Sequence, residues 1–509
     1  MTAAVHEGDS SDSDETYVYE SNPPEIFKRL DLSSINKWTA LHKAVQNGRT
    51  DIVELLLAEG APIEAVDKDN NTPLHLAVSS GYTGIVELLL GRGATIQALN
   101  GDKNTPLHLA TRNGHAGTVE LLLRKLASIE AMGKVIDTPL HYAAWKGYTS
   151  IVELLLGKGA LIEAIDGAGS APIHYAVSGG HSGIVELLLE KGASVESIGK
   201  GKQLPLHLAA RNGHIGILEL LLRRGALIEA MDKVNNTPMH CAAWGGHSGI
   251  VELLLEKGAS IQAMNKYHNT PIHYAAGNGH SSTVELLLRK GASVHDVNTN
   301  NQTPMYCAAC NGCTGVVELL LGEGASIESM DNNNSTPIHH AAWNGHSSTV
   351  ELLLRKGASI EAVDRVNYTP LHYAAWKGHT GVVGLLLENG ASTEDINTSQ
   401  KTPLDLAAQY GHIDTVKLLL GQGHLVAWSG QIPMEVVTPN ILRCLIPGCF
   451  KHFRRSDFLV NHLRNQHSLP IPMGGWARNW ISKPENYHAY CAAVEAQARV
   501  NTIVTPLTE

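Results

Sequence analysis

The chain has 509 residues, 43% of them apolar, and a formal net charge of −10, so it has material for a large core and no global pull toward nucleic acid or an anionic membrane. Only four residues are Phe, so any core must be built from Leu, Ile, Val and Ala. No apolar run reaches the roughly 18 residues a membrane helix needs, and MTAAVHEGDSSDSDE lacks the charged-then-apolar order of a signal peptide.

Residues 1–22 read as an acidic arm with little to bury, in which Ser10, Ser11 and Ser13 lie among Asp9, Asp12, Asp14 and Glu15. The stretch PPEIFKRLDL from Pro23 to Leu32 reads as a short helix that caps the first layer of a repeated array. From there to residue 423 one unit repeats. In Thr138–Ala160, TPLHYAAWKGYTSIVELLLGKGA, Thr138 suits a helix N-cap and Pro139 the first helical position. Leu140, Ala143 and Ala144 then form an i, i+3, i+4 stripe that ends at Gly147. A second cap at Thr149 opens another helix, with Ile151, Leu154 and Leu155 on one face. The signature starts twelve times at intervals of 33 residues, from Thr39 to Thr402, with Ala171 and Leu204 replacing Thr twice. One such pair of helices cannot bury its own apolar face, so a fixed period means a stack of layers.

The pattern TPLH-x-A-A-x-x-G-H…VELLL…GA resembles the ankyrin repeat over about four-fifths of the chain. The resemblance implies an all-α solenoid of twelve units over residues 23–423. In that family the motif His (His42, His75, His108, His141 and their successors) holds one layer to the next by hydrogen bonding, which makes it structural rather than metal-binding. The second column, with His115, His181 and His247, takes the same reading. The repeated Glu (Glu54, Glu87, Glu120, Glu153) reads as a solvated outer face. Cys307, Cys310 and Cys313 occupy ordinary repeat positions and lack a fourth ligand.

The resemblance also implies a concave face lined by the residue after the paired alanines, the variable position of the repeat. There stand Arg112, Trp145, Arg211, Trp244, Trp343 and Trp376, the side-chain types most enriched at binding hot spots. These six are the candidate anchors for a protein partner; the competing reading of the tryptophans is inheritance by unit copying. No nucleophile–base pairing, phosphate loop or dinucleotide fingerprint appears, so the chain reads as neither an enzyme nor a receptor for a small-molecule substrate.

After a connector at 424–441, with room for a short strand or a cap, residues 442–467 carry the strongest chemical signal. Cys444 and Cys449 are followed by His462 and His467, two thiolates and two imidazoles at the spacing of one tetrahedral structural Zn2+. With Phe453 and Leu459 at the core positions, the segment resembles the Cys2His2 zinc finger, which implies a small ββα unit, although Leu442 stands where an aromatic usually precedes the first Cys. The family's base-reading positions fall on Arg455, Phe458 and Asn461, so contact with DNA or RNA is an alternative to protein binding or a purely structural role. A lone finger reads about three base pairs, too few for specificity. The tail, 468–509, carries a candidate helix from Pro484 to Arg499. Seven scattered cysteines form no disulfide framework and suit the cytoplasm or nucleus.

Overall fold

The computed structural model describes residues 39–133, 137–422, 434–438, 441–444 and 452–453. The acidic arm, the expected capping helix at 23–32, the finger's helix and the tail lie outside the described residues. The chain divides into two compact units, Met1–Lys200 and Gly201–Glu509. Among the described residues the first holds five helix pairs and the second seven, followed by a small sheet.

Every pair follows one plan. In the Thr138 layer the first helix runs Pro139–Lys146 and the second Thr149–Gly157. Thr138 is extended (φ −87°, ψ 164°) and Pro139 occupies the first helical position, as the sequence pattern requires. Its partner in the cap is unusual: the Thr138 N–H donates to His141 Nδ1 at 3.1 Å, where a capping box normally has Glu. The ring's other nitrogen, Nε2, donates to the Ser170 carbonyl in the next layer at 3.1 Å. One imidazole thus closes a helix start and ties two layers together. In the Ala171 and Leu204 layers the cap hydroxyl is missing, and the ring keeps only the backbone half, Ala171 N–H and Leu204 N–H to His174 and His207 Nδ1 at 3.1 and 3.3 Å.

The core of each layer is small and dry. Leu140, Ala143, Ala144, Ile151, Val152 and Leu155 are all at most 1% exposed. Each of the larger aliphatic side chains contributes roughly 1.5–3 kcal/mol by burial, and the alanines let the two helices approach closely. Two details differ from the sequence reading. Thr149 is the first helical residue rather than the cap; Tyr148 takes the cap position and makes no side-chain capping bond. The buried face of the second helix includes Val152, while Leu154 is only half-buried.

Three further ladders stitch layers within each unit. Glu64, Glu130 and Glu163 accept from the backbone N–H of Thr95, Leu161 and Ser194 at 2.6, 2.8 and 2.7 Å. Successive loop tips share a backbone bond, as from Lys266 N–H to the Val234 carbonyl and Thr299 N–H to the Tyr267 carbonyl, both 2.9 Å. The motif Glu is exposed and faces a cation of the following layer, with Arg92–Glu54 at 3.6 Å and Lys356–Glu318 at 3.7 Å. Exposed pairs of this kind contribute about 0–1 kcal/mol each.

The sheet has three antiparallel strands in the order β1 (Met434–Thr438), β2 (Ile441–Cys444) and β3 (His452–Phe453). The β2–β3 hairpin aligns Leu442 with Phe453 and Arg443 with His452. A finger of ββα form needs only those two strands; β1, from the connector, is a third, paired to β2 with an irregularity between Val436 and Thr438.

Candidate interaction surface

The helix geometry that buries Ala144 turns the next residue outward, since each step rotates about 100°. Position 145 and its equivalents therefore emerge at the last turn of the first helix. Trp145 is 48% exposed, with the Lys146 ammonium 4.3 Å from its ring centre. Trp244 is 42% exposed, with the Arg211 guanidinium 4.1 Å from its ring. A cation over an indole at this range contributes about 0.5–1 kcal/mol at a surface and holds the ring at a fixed tilt. Arg112 is exposed and its charge is felt at the Tyr142 phenol.

Trp343 and Trp376 behave differently. Both are half-buried, because they stand in consecutive layers and meet edge to face at 4.7 Å. Trp343 also packs on Tyr373 (5.2 Å), and Trp376 on Tyr368 and Tyr410 (both 5.7 Å). Lys377 lies over Trp343 at 4.0 Å. Trp145 and Trp244 lack such cover since the next layer offers Ser178 and Gly277 at the same position. Five of the six candidates thus fall into two cation–indole sites and one aromatic cluster, and Arg112 belongs to none of them.

The second histidine column sets the positions of these indoles. His181 Nε2 donates to the Trp145 carbonyl at 2.9 Å, and His280, His379 and His412 do the same for Trp244, Trp343 and Trp376 at 2.9, 2.9 and 2.8 Å. The ring needs room: a Cβ on Gly147, which sits at φ +82°, would lie 2.6 Å from His181 Cε1. Each tryptophan is thus pinned at its backbone by the following layer, a form of preorganisation that lowers the entropic cost of binding.

The first column is buried. Burial lowers the affinity of His75, His108 and His141 for a proton, and takes His240 and His339 to about 4, outweighing the carbonyls that each ring touches. Two layers depart from this scheme: in the last one Asp405 stands for the His and accepts from the Thr402 N–H at 3.1 Å, and the other is the Thr303 layer. Tyr306 replaces the motif His; its hydroxyl donates to Asp331 Oδ2 at 2.8 Å, and His340 packs on its ring at 4.7 Å.

The cysteine run does not converge. Cys310 Sγ faces Asn344 Nδ2 in the following layer at 3.5 Å, whereas Cys313 Sγ faces the Gly277 carbonyl in the preceding one at 3.6 Å. Burial pushes the Cys307 thiol up to about 12. Among the described residues no group of three or more His, Cys, Asp or Glu could hold a metal ion.

The sequence reading passed over one column. Leu99, Met132, Ile165 and Ile198 in the first unit, and Met231, Met264, Val297, Met330, Val363 and Ile396 in the second, occupy the same repeat position and are 42–64% exposed. The signal was present as an apolar residue just before a loop-tip Asp, Asn or Gly, recurring every 33 residues.

A family model described as "Ankyrin repeats (3 copies)" matches residues 16–100, 94–166, 162–232, 206–298, 272–364 and 360–426, a continuous run. The chain belongs to the ankyrin-repeat family. Ankyrin repeats mediate binding to protein partners, so the array is a protein–protein interaction module. No curated protein matches the sequence. Of the residues expected in a finger, Cys444 closes strand β2 and Phe453 lies on β3. Cys449, Arg455, Phe458, Asn461, His462 and His467 lie outside the described residues.

Proposed function

We propose that this ankyrin-repeat chain is a non-enzymatic scaffold or adaptor that captures a protein through the last turns of its first helices, with Trp145, Trp244, Trp343, Trp376, Arg112 and Arg211 as anchors. The observation that carries this reading is the set of indoles held by a cation at the ring and by a histidine at the backbone. Rigid, part-exposed Trp with adjacent Arg or Lys is the composition of a hot spot. The test is quantitative capture of partners by the full chain and by a variant with Trp145, Trp244, Trp343 and Trp376 changed to Ala. A fall of at least tenfold for specific partners is expected; equal capture by both chains refutes the assignment of these anchors.

The C-terminal segment joins this scaffold as a Cys2His2 finger in which Cys444, Cys449, His462 and His467 hold one structural Zn2+. Support comes from the antiparallel pairing of β2 and β3, the hairpin that a ββα finger requires, with Phe453, one of its core positions, on β3. Bound zinc would cross-link hairpin and helix in a unit too small for a sufficient core of its own. Zinc content near one equivalent per chain, lost in Cys449→Ser, is the expected result. Thiolate ligands of this kind persist in the cytoplasm or nucleus, where the chain is placed by this reading. The second reading, a regulator whose finger contacts DNA or RNA through Arg455, Phe458 and Asn461, rests on motif spacing. It requires chelator-sensitive and salt-sensitive nucleic-acid binding by the full chain.

A further inference from the structure

Charge is sorted between the two helices of each layer. In the first unit the five first helices carry Lys43, Arg112 and Lys146 and no carboxylate. The five second helices carry seven carboxylates, from Asp51 to Glu190, and one cation, Arg124. A chain of net charge −10 thus keeps the first helices of this unit free of carboxylates and cationic, with Asp137 and Asp166 of the loops engaged by the Tyr175 hydroxyl, and the same helices bear the exposed Trp145 under Lys146. A positive, indole-bearing face on an acidic protein fits an acidic segment with apolar or aromatic side chains.

One such segment belongs to the chain itself. Residues 7–20, EGDSSDSDETYVYE, hold six carboxylates, no Lys or Arg, and Tyr17, Val18 and Tyr19. We infer that this N-terminal arm occupies the first-helix face of its own first unit. Its carboxylates accept from Arg112 and Lys146, and its Tyr-Val-Tyr run lies against Trp145. Reach is sufficient. Trp145 belongs to the fourth layer, roughly 30 Å from the first at about 10 Å per layer. The 23 residues between Glu15 and Thr39 span up to roughly 80 Å when extended. Tethering makes the contact intramolecular, so individually weak ion pairs suffice to populate it. The inference rests on the reading of this face as a binding surface and makes the arm a competitor of protein partners there. Phosphorylation at Ser10, Ser11 or Ser13 would add negative charge and tighten the contact.

The test uses the full chain. Zero-length carbodiimide coupling at 50 mM salt should join arm carboxylates to the Lys146 and Lys43 amines and not to exposed Lys158 beside a second helix, and the links should vanish at 500 mM salt. In parallel, a labelled peptide of residues 1–22 is titrated into a full chain whose own arm is neutralised (D9N, D12N, D14N, E15Q). Arg112→Glu with Lys146→Glu should weaken its binding at least tenfold. Arg124→Glu, on the second helix of the same layer as Arg112, should change it less than twofold. Equal coupling to Lys158, equal loss with Arg124→Glu, or no peptide binding at 50 mM salt overturns the inference. So does a DNA duplex that binds where the peptide does not and is lost with Arg112→Glu; that result gives the face to nucleic acid. Trp-dependent capture of partners that survives any of these outcomes leaves the scaffold reading standing without the arm.

Discussion

Acidification should loosen the layers built on His240 and His339. Each ring accepts from its cap Thr N–H through Nδ1, at 3.1 and 3.0 Å, and donates through Nε2 to a carbonyl 29 residues on, at 2.9 and 3.1 Å. That network fits the neutral Nε2–H tautomer, and a proton on Nδ1 would remove the acceptor. Burial takes both rings to about 4, against 6.5 in the unfolded chain. A histidine whose folded value is depressed contributes stability that is fully present above 6.5 and is lost as pH falls from 6.5 toward 4. At pH 5 the unfolded ring is almost wholly protonated and the folded ring about one-tenth so, which amounts to about 2 kcal/mol of lost stability per ring. Hydrogen exchange read by mass spectrometry on Pro238–Gly245 and Pro337–Trp343, corrected for intrinsic rates, should show protection falling about 30-fold between pH 7.5 and 5. Unchanged protection across that interval would refute the role given to burial.

Other perturbations probe the layer contacts one at a time. Gly345→Ala places a Cβ at φ +78° and 2.7 Å from His379 Nδ1, so it should displace the ring from the Trp343 carbonyl. A loss of about 2–3 kcal/mol in a urea melt is expected, and less than 0.5 would refute the contact. Tyr306→Phe leaves Asp331 Oδ2, on a residue only 7% exposed, without its 2.8 Å donor; about 1–3 kcal/mol should be lost, again by urea melt. Trp376→Ala removes the ring that Trp343, Tyr368 and Tyr410 share, and should cost about 3 kcal/mol or somewhat less since the ring is half-buried. Trp145→Ala, by contrast, should leave the thermal midpoint within about 1 °C, because that ring is 48% exposed.

Much of the fold was legible because it is written twelve times. A Thr-Pro start, paired alanines and a Gly stop constrain one helix pair weakly, but in a fixed register they leave no other arrangement. The first histidine column was legible for the same reason, since a ring spaced by 33 residues and tied to its local Thr can bind only within and between layers. Thr149 reads as a cap because Thr is a good cap by propensity; the true cap, Tyr148, uses backbone alone and leaves no mark in the sequence. The inequality of the four tryptophans depends on what stands one layer on, Ser178 and Gly277 for Trp145 and Trp244 but Trp376 for Trp343. That comparison runs across repeats, and a reading of each repeat by itself misses it. Tyr306 shows the same limit: the replaced motif His is plain in the sequence, while the new bond to Asp331 needs coordinates.

The layers keep fixed what stacking needs and vary what stacking does not touch. Thr138, His141 and Gly147 meet a partner of the same kind in most layers, so a change at any of them damages a contact within or between layers. Trp145 is tied to the next layer by the bond from His181 to its backbone carbonyl, and that bond is indifferent to the side chain. Trp, Arg, Ser, Gly, Cys and Gln all occur at this position without breaking the register. A column whose backbone is held and whose side-chain type the stacking does not dictate is free to specialise for a partner. The exposed apolar column from Leu99 to Ile396 differs in kind, because it varies only among Leu, Met, Ile and Val. Exposure without chemical variety is what a uniform contact running along the layers would require, rather than one anchored at a few points. Replacing Ile165 and Ile198 by Lys separates the two cases: thermal stability should stay within about 0.5 kcal/mol, as both side chains are at least 60% exposed, and any lost binding would then belong to a surface distinct from the tryptophans.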